Sequence, residues 1–136
     1  MATAPTDGAP TDGAPRDGEQ PLAAVTLTSA AGYRGEIQAG RHHLVADEGP
    51  GVGGEGVGPS PYQLVLAGLV QCTAATLRIY AERKQWELGE IRVRARMLRS
   101  GDGADKAERI ERTIEVASAL SEAQRTRLSE IADRTR

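Results

Sequence analysis

Gly58-Pro-Ser-Pro-Tyr-Gln-Leu-Val-Leu-Ala-Gly-Leu-Val-Gln-Cys-Thr-Ala-Ala-Thr-Leu-Arg-Ile-Tyr-Ala-Glu-Arg-Lys84 is the longest apolar segment of the chain and holds its one cysteine, Cys72. A helix start is written at its head. Ser60 stands as N-cap, Pro61 at the first helical position, and Gln63 three residues after the cap completes a capping box. The pattern predicts one buried helix over residues 61–84. Gln63, Gln71, Cys72, Thr73 and Arg78 interrupt the apolar run well short of the roughly 20 residues that a membrane span needs, so a soluble core is the expected setting. Gly68, Cys72 and Thr76 recur at i, i+4 and i+8 as a narrow ridge. A glycine inside a helix costs about 1 kcal/mol against alanine, which points to another backbone or a substrate coming close at Gly68.

Upstream, residues 4–18 repeat Ala-Pro-Thr-Asp-Gly twice and then Ala-Pro-Arg-Asp-Gly, with no large apolar side chain. Such a stretch cannot offset its ordering entropy by burial, so residues 1–20 are expected to be a disordered tail and residues 21–136 a single domain. Leu22–Ala30 reads as a first strand, and Tyr33–Gln38 and Arg41–Ala46 as two more joined by a tight turn at Ala39-Gly40, giving a three-stranded antiparallel meander. Asp47–Pro61 is glycine-rich. It lacks the Gly-Lys-Ser/Thr of a phosphate loop and reads as a long mobile connection into the helix.

Downstream, Ile91, Val93, Ala95 and Met97 alternate with Arg92, Arg94 and Arg96, the period of a strand with one buried and one wet face. A second strand is expected over Glu108–Ala117, with Ile110, Ile114 and Val116 on one face and Glu111, Thr113 and Glu115 on the other. Paired antiparallel, the glutamates would stand across from the arginines. Ser121 and Gln124 make a second capping box, opening a helix that packs through Leu128, Ile131 and Ala132.

A net charge of −2, with 17 basic against 19 acidic side chains, supplies no field for nucleic acid or a membrane surface, and few aromatics are present to stack bases. The sequence therefore predicts neither partner. One cysteine excludes an intramolecular disulfide, and the N-terminus lacks a signal-peptide pattern, so a reducing cytoplasm is expected. His42 and His43 point to opposite faces of a strand and cannot jointly hold a metal. Asp47 and Glu48 are possible acid–base groups without fixed geometry. Cys72 is the candidate nucleophile, provided that nearby positive charge favours its thiolate; otherwise it is a small core residue.

The run Gly58–Arg78, preceded by Ala46-Asp-Glu and Gly53-Gly54, together with Arg109-Ile-Glu-Arg-Thr-Ile-Glu-Val and the Leu128-Ser-Glu-Ile-Ala-Asp helix, resembles the OsmC/Ohr family of thiol-dependent peroxidases, in particular its generic OsmC-like branch. The resemblance covers roughly residues 25 to 135. It implies an α+β fold of antiparallel strands wrapped around a long central helix, an intertwined homodimer with sites between subunits, and organic hydroperoxide reduction by Cys72 with no bound cofactor. An external thiol or dithiol would serve as reductant. It also implies an arginine from the early strands beside the thiolate, Arg34 or Arg41, oriented by a glutamate near Tyr62-Gln63. Gln63 stands there and can accept a hydrogen bond but supplies no anion. The family's second cysteine follows the last helix in a Cys-Pro segment leading to a final strand. Here the sequence reads Ala132-Asp-Arg-Thr-Arg136, so the resolving thiol and that strand are expected to be missing. These departures leave a second reading open, a non-catalytic member binding a small hydrophobic ligand, and a third, a truncated product.

Overall fold

The computed structural model describes residues 15–134, so most of the expected tail lies outside the described residues. The first three strands, β1 (Val25–Thr28), β2 (Gly35–Ala39) and β3 (His42–Ala46), form the expected antiparallel meander. Ala39 pairs with His42 across the turn, where Gly40 takes a φ of 61° that a side chain would strain. In register, Leu27, Ile37 and Leu44 lie side by side across the three strands.

The glycine-rich segment is a built loop, correcting the mobile connection expected from its composition. The buried Asp47 carboxylate accepts hydrogen bonds from the backbone N–H groups of Glu48 at 2.8 Å, Glu55 at 3.1 Å and Val57 at 3.3 Å. Asp47 N–H donates to the Pro59 carbonyl at 3.1 Å, and a Cβ on Gly58 would collide with the Val45 carbonyl. Close backbone approach, not flexibility, explains that glycine.

The long helix, α1 (Pro61–Lys84), begins at the Ser60 capping box and ends where Gln85 turns left-handed at φ 59°. It packs on β4 (Ile91–Ser100) and on α2 (Glu122–Asp133), while β4 pairs along its length with β5 (Ala107–Val116). The register places Arg92 across from Glu115 and Arg96 across from Glu111, as the alternation predicts. The core is Leu77 and Ala81 of α1, Leu88, and Leu128 and Ala132 of α2, with Trp86 and Ile114 against it.

The architecture is the expected α+β arrangement of a long helix against antiparallel strands. The expectation of a buried helix is corrected, because only Thr73, Leu77 and Ala81 of α1 are buried. A helix seated on one sheet and one short helix has a single covered face. The β1–β2–β3 sheet, joined to α1 through the Asp47 loop, does not pack on it as β4 and α2 do. By length and composition α1 could cross a membrane, a test that core helices also pass.

Candidate functional site

Cys72 lies on an exposed part of α1, in a groove of about 450 Å³ that it shares with Thr76, Ile79, Tyr80, Arg83, Ile131 and Arg134. Its apolar side chains form the body of the groove and the two arginines give it positive charge. Tyr80 is held in place there: its ring meets Trp86 edge-on at 5.7 Å and its hydroxyl accepts from Arg127 Nε at 2.9 Å. Among the described residues no group of carboxylates, histidines and cysteine could hold a metal ion.

The other residues expected at the site stand elsewhere in the chain. The Gln63 side-chain oxygen accepts from Ser60 N–H at 2.9 Å, closing the capping box. Nine residues of helix separate it from Cys72, about 13 Å of rise and half a turn of rotation, so the two occupy opposite faces. Arg34 precedes β2 and lies 3.9 Å from Glu36, and Arg41 occupies the β2–β3 turn. Neither lines the Cys72 groove. Within one chain these residues are not brought together. Gly68, where close approach is expected, has nothing within 4 Å of an added Cβ.

Two arginines outside the expected set tie the strands to α1, and neither lines the Cys72 groove. Both lie in the strand rows that face α1. Arg112 occupies the row of Ile110, Ile114 and Val116 and is 17% exposed. It donates to Thr73 Oγ1 at 3.0 Å and to the Ala132 carbonyl at 2.8 Å, tying β5 to both helices. Arg99 continues the row of Ile91, Val93, Ala95 and Met97. Its Nε donates to Glu108 Oε1 at 3.0 Å and its Nη2 to the Tyr62 hydroxyl at 3.1 Å, at the start of α1. Glu108, with a smaller contribution from Tyr62, drives Arg99 further toward permanent charge. Both arginines were visible as breaks in a period-two apolar row, and such breaks are where a charged side chain must find partners inside the fold. On the outer face, the hydrogen-bonded Arg96 holds the Glu111 carboxyl below its ordinary value despite partial burial.

The family model described as OsmC-like protein matches residues 53–135. A search of curated proteins gives no match. Among solved structures, the chain is similar to an OsmC-like protein from Mycoplasma pneumoniae, with a TM-score of 0.68 and 18% identity over 87% of this chain and 84% of that one. It is also similar to an organic hydroperoxide resistance protein OsmC from Legionella pneumophila, with a TM-score of 0.63 and 18% identity over 83% and 84%. The organic hydroperoxide resistance protein OhrB of Bacillus subtilis matches with a TM-score of 0.55 and 22% identity over 81% and 82%. At these identities the likeness is one of fold.

Proposed function

The chain belongs to the OsmC-like protein family, and from that premise we propose that it is a thiol-dependent organic hydroperoxide reductase acting through Cys72 as a cytoplasmic homodimer. The observation that carries this reading is the placement of Cys72: exposed, unpaired, and set in an apolar groove edged by two arginines. Such a groove suits the hydrocarbon part of an organic hydroperoxide.

In the reaction, the Cys72 thiolate attacks the distal oxygen of the hydroperoxide. The S–O bond forms as the O–O bond breaks, the alkoxide leaves and is protonated to the alcohol, and the sulfur becomes a sulfenic acid. With Cys72 the one cysteine of the sequence, an external thiol attacks that sulfur, releasing water and forming a mixed disulfide. A second equivalent of thiol returns Cys72 to its reduced state. Arg34 and Arg41 remain candidates for the activating cation only if a second chain brings one of them to the groove. Gln63, occupied by the capping box, contributes to the helix start.

The test is dimedone trapping on native protein after cumene hydroperoxide, with mass spectrometry locating the adduct. An adduct on Cys72, and loss of peroxide consumption in Cys72→Ser, support the reading; no adduct on native protein while denatured protein reacts refutes it. A second reading, a protein that binds a small hydrophobic ligand without chemistry, is favoured by the absence, among the described residues, of any carboxylate lining the Cys72 groove that could orient an arginine there. Equal peroxide consumption by wild type and Cys72→Ser would select it.

A further inference from the structure

The face of α1 that its own chain leaves open is an apolar stripe. Tyr62, Val65, Gly68, Cys72, Thr76 and Ile79 fall within about a third of the helix circumference at roughly 100° per residue. Tyr62 is 53% exposed, Val65 60% and Ile79 51%, although other parts of the helix are fully packed. A continuous apolar strip of this kind is covered by another surface in a soluble protein. Gly68, open on this face, allows a second backbone to come nearest there.

A second copy of α1, laid antiparallel, fits this stripe. The midpoint of positions 62 and 72 falls at position 67, beside Gly68. A twofold axis at that point exchanges the two positions, each about 7 Å along the helix from the axis. Tyr62 of one copy then stands across from Cys72 of the other, with the glycines at the crossing.

Tyr62 brings a cation with it. Its hydroxyl accepts from Arg99, whose guanidinium is clasped by Glu108, so the positive charge is oriented before any second chain arrives. Arg99 is still 46% exposed and keeps N–H donors to offer. Glu108 supplies the orienting anion that Gln63 cannot. We propose that Arg99, held by Glu108 and Tyr62, is the positioning residue that stabilises the Cys72 thiolate of a second copy of this chain. The inference rests on the reading of Cys72 as the reactive thiol, and on Arg99, not Arg34 or Arg41, as its cation.

The experiment measures alkylation of Cys72 by iodoacetamide at pH 6 in differently tagged, co-purified mixed dimers. An opposite charge lost from beside a thiolate lowers its population at least about tenfold, so the Arg99→Gln homodimer should react about tenfold more slowly than wild type, with partial recovery in Arg99→Lys. A dimer of one Cys72→Ser chain with one Arg99→Gln chain has its single thiol facing an intact Arg99 and should react at the wild-type rate. A dimer of wild type with the Cys72→Ser, Arg99→Gln double variant has its single thiol facing glutamine and should react about tenfold more slowly. The reverse order, which control by Arg99 of the thiol's own chain would give, overturns the proposal, as do equal rates, which control by Arg83 or Arg134 would give, or a wild type that sediments as a monomer. Dimedone trapping on wild type stands apart from these rates: its failure removes the peroxidase reading, whereas a reactive Cys72 indifferent to the partner's Arg99 removes only this inference.

Discussion

Arg112→Met tests whether the arginine inside the apolar row of β5 holds the fold together. Methionine keeps an unbranched apolar stem of similar reach, so the change removes the guanidinium while largely preserving packing. Two charged hydrogen bonds are lost, to Thr73 Oγ1 and the Ala132 carbonyl. Thr73 is fully buried and still donates to the Leu69 carbonyl, so its oxygen is left half-satisfied, not orphaned. The Ala132 carbonyl, near the end of α2, loses the donor that Arg112 gives it. The contact with Asp133 adds little, since that carboxylate is largely exposed. Hydrogen bonds to a charged group contribute about 1.5–3 kcal/mol each when truncated, but the bonds share one side chain and are not additive, so about 2–3 kcal/mol is expected. Urea unfolding at fixed chain concentration reads this as a lowered midpoint with an unchanged slope. A cycle with Thr73→Val should show a coupling of about 1 kcal/mol. Cys72 alkylation should be unchanged, because Thr73 points inward and Cys72 outward. A loss below about 0.5 kcal/mol would mean that Arg112 behaves as a surface residue and would refute the reasoning.

Three further outcomes follow from the same geometry. Val65→Ala removes an apolar side chain from both copies of the stripe in the proposed dimer, about 1 kcal/mol on each, and should weaken self-association about thirtyfold by sedimentation. Leu77→Ala opens a cavity at the centre of the α1–α2 core and should cost about 2–5 kcal/mol, measured by urea unfolding. Burial pushes the Asp47 carboxyl up, but the backbone donors of Glu48, Val57, Glu55 and Gly56 together hold it below its ordinary value. Its stabilising contribution is therefore complete above the unfolded carboxylate value of about 4 and lost as pH falls through the folded value. Asp47→Asn should be less stable than wild type at pH 7 and converge with it in acid, as read by unfolding midpoints across pH.

Local chemistry made most of the fold legible. The Ser60 and Ser121 capping boxes place both helix starts, and the arginine–glutamate alternation sets the β4–β5 register. The Asp47 loop was harder to read, because its order comes from backbone donors converging on one carboxylate, and composition records only the glycines. Arg99 and Arg112 could be found only by treating a charge in an apolar row as a question. Cys72 was visible as the one thiol of the sequence. The grouping around it was not, because no partner residue expected there shares its groove: Gln63 lies on the opposite helix face and Arg34 and Arg41 lie on the detached sheet.

That detached sheet bears on how the molecule folds. Leu27 and Leu44, in register with Ile37, are 55% and 44% exposed, and the stripe on α1 is open as well. A small sheet with one apolar face does not persist alone in water, and an uncovered apolar helix face gains nothing from folding in isolation. Both surfaces belong to one chain, flank the rigid Asp47 loop, and can be covered together when two copies meet. In the proposed dimer, folding and association would be one event, and stability would depend on chain concentration. A tenfold increase in concentration contributes about 1.4 kcal/mol per dimer, so the thermal midpoint should rise by several degrees from micromolar to tens of micromolar protein. A midpoint that stays constant across that range, with a cooperative transition, would show that the single chain covers these surfaces by itself.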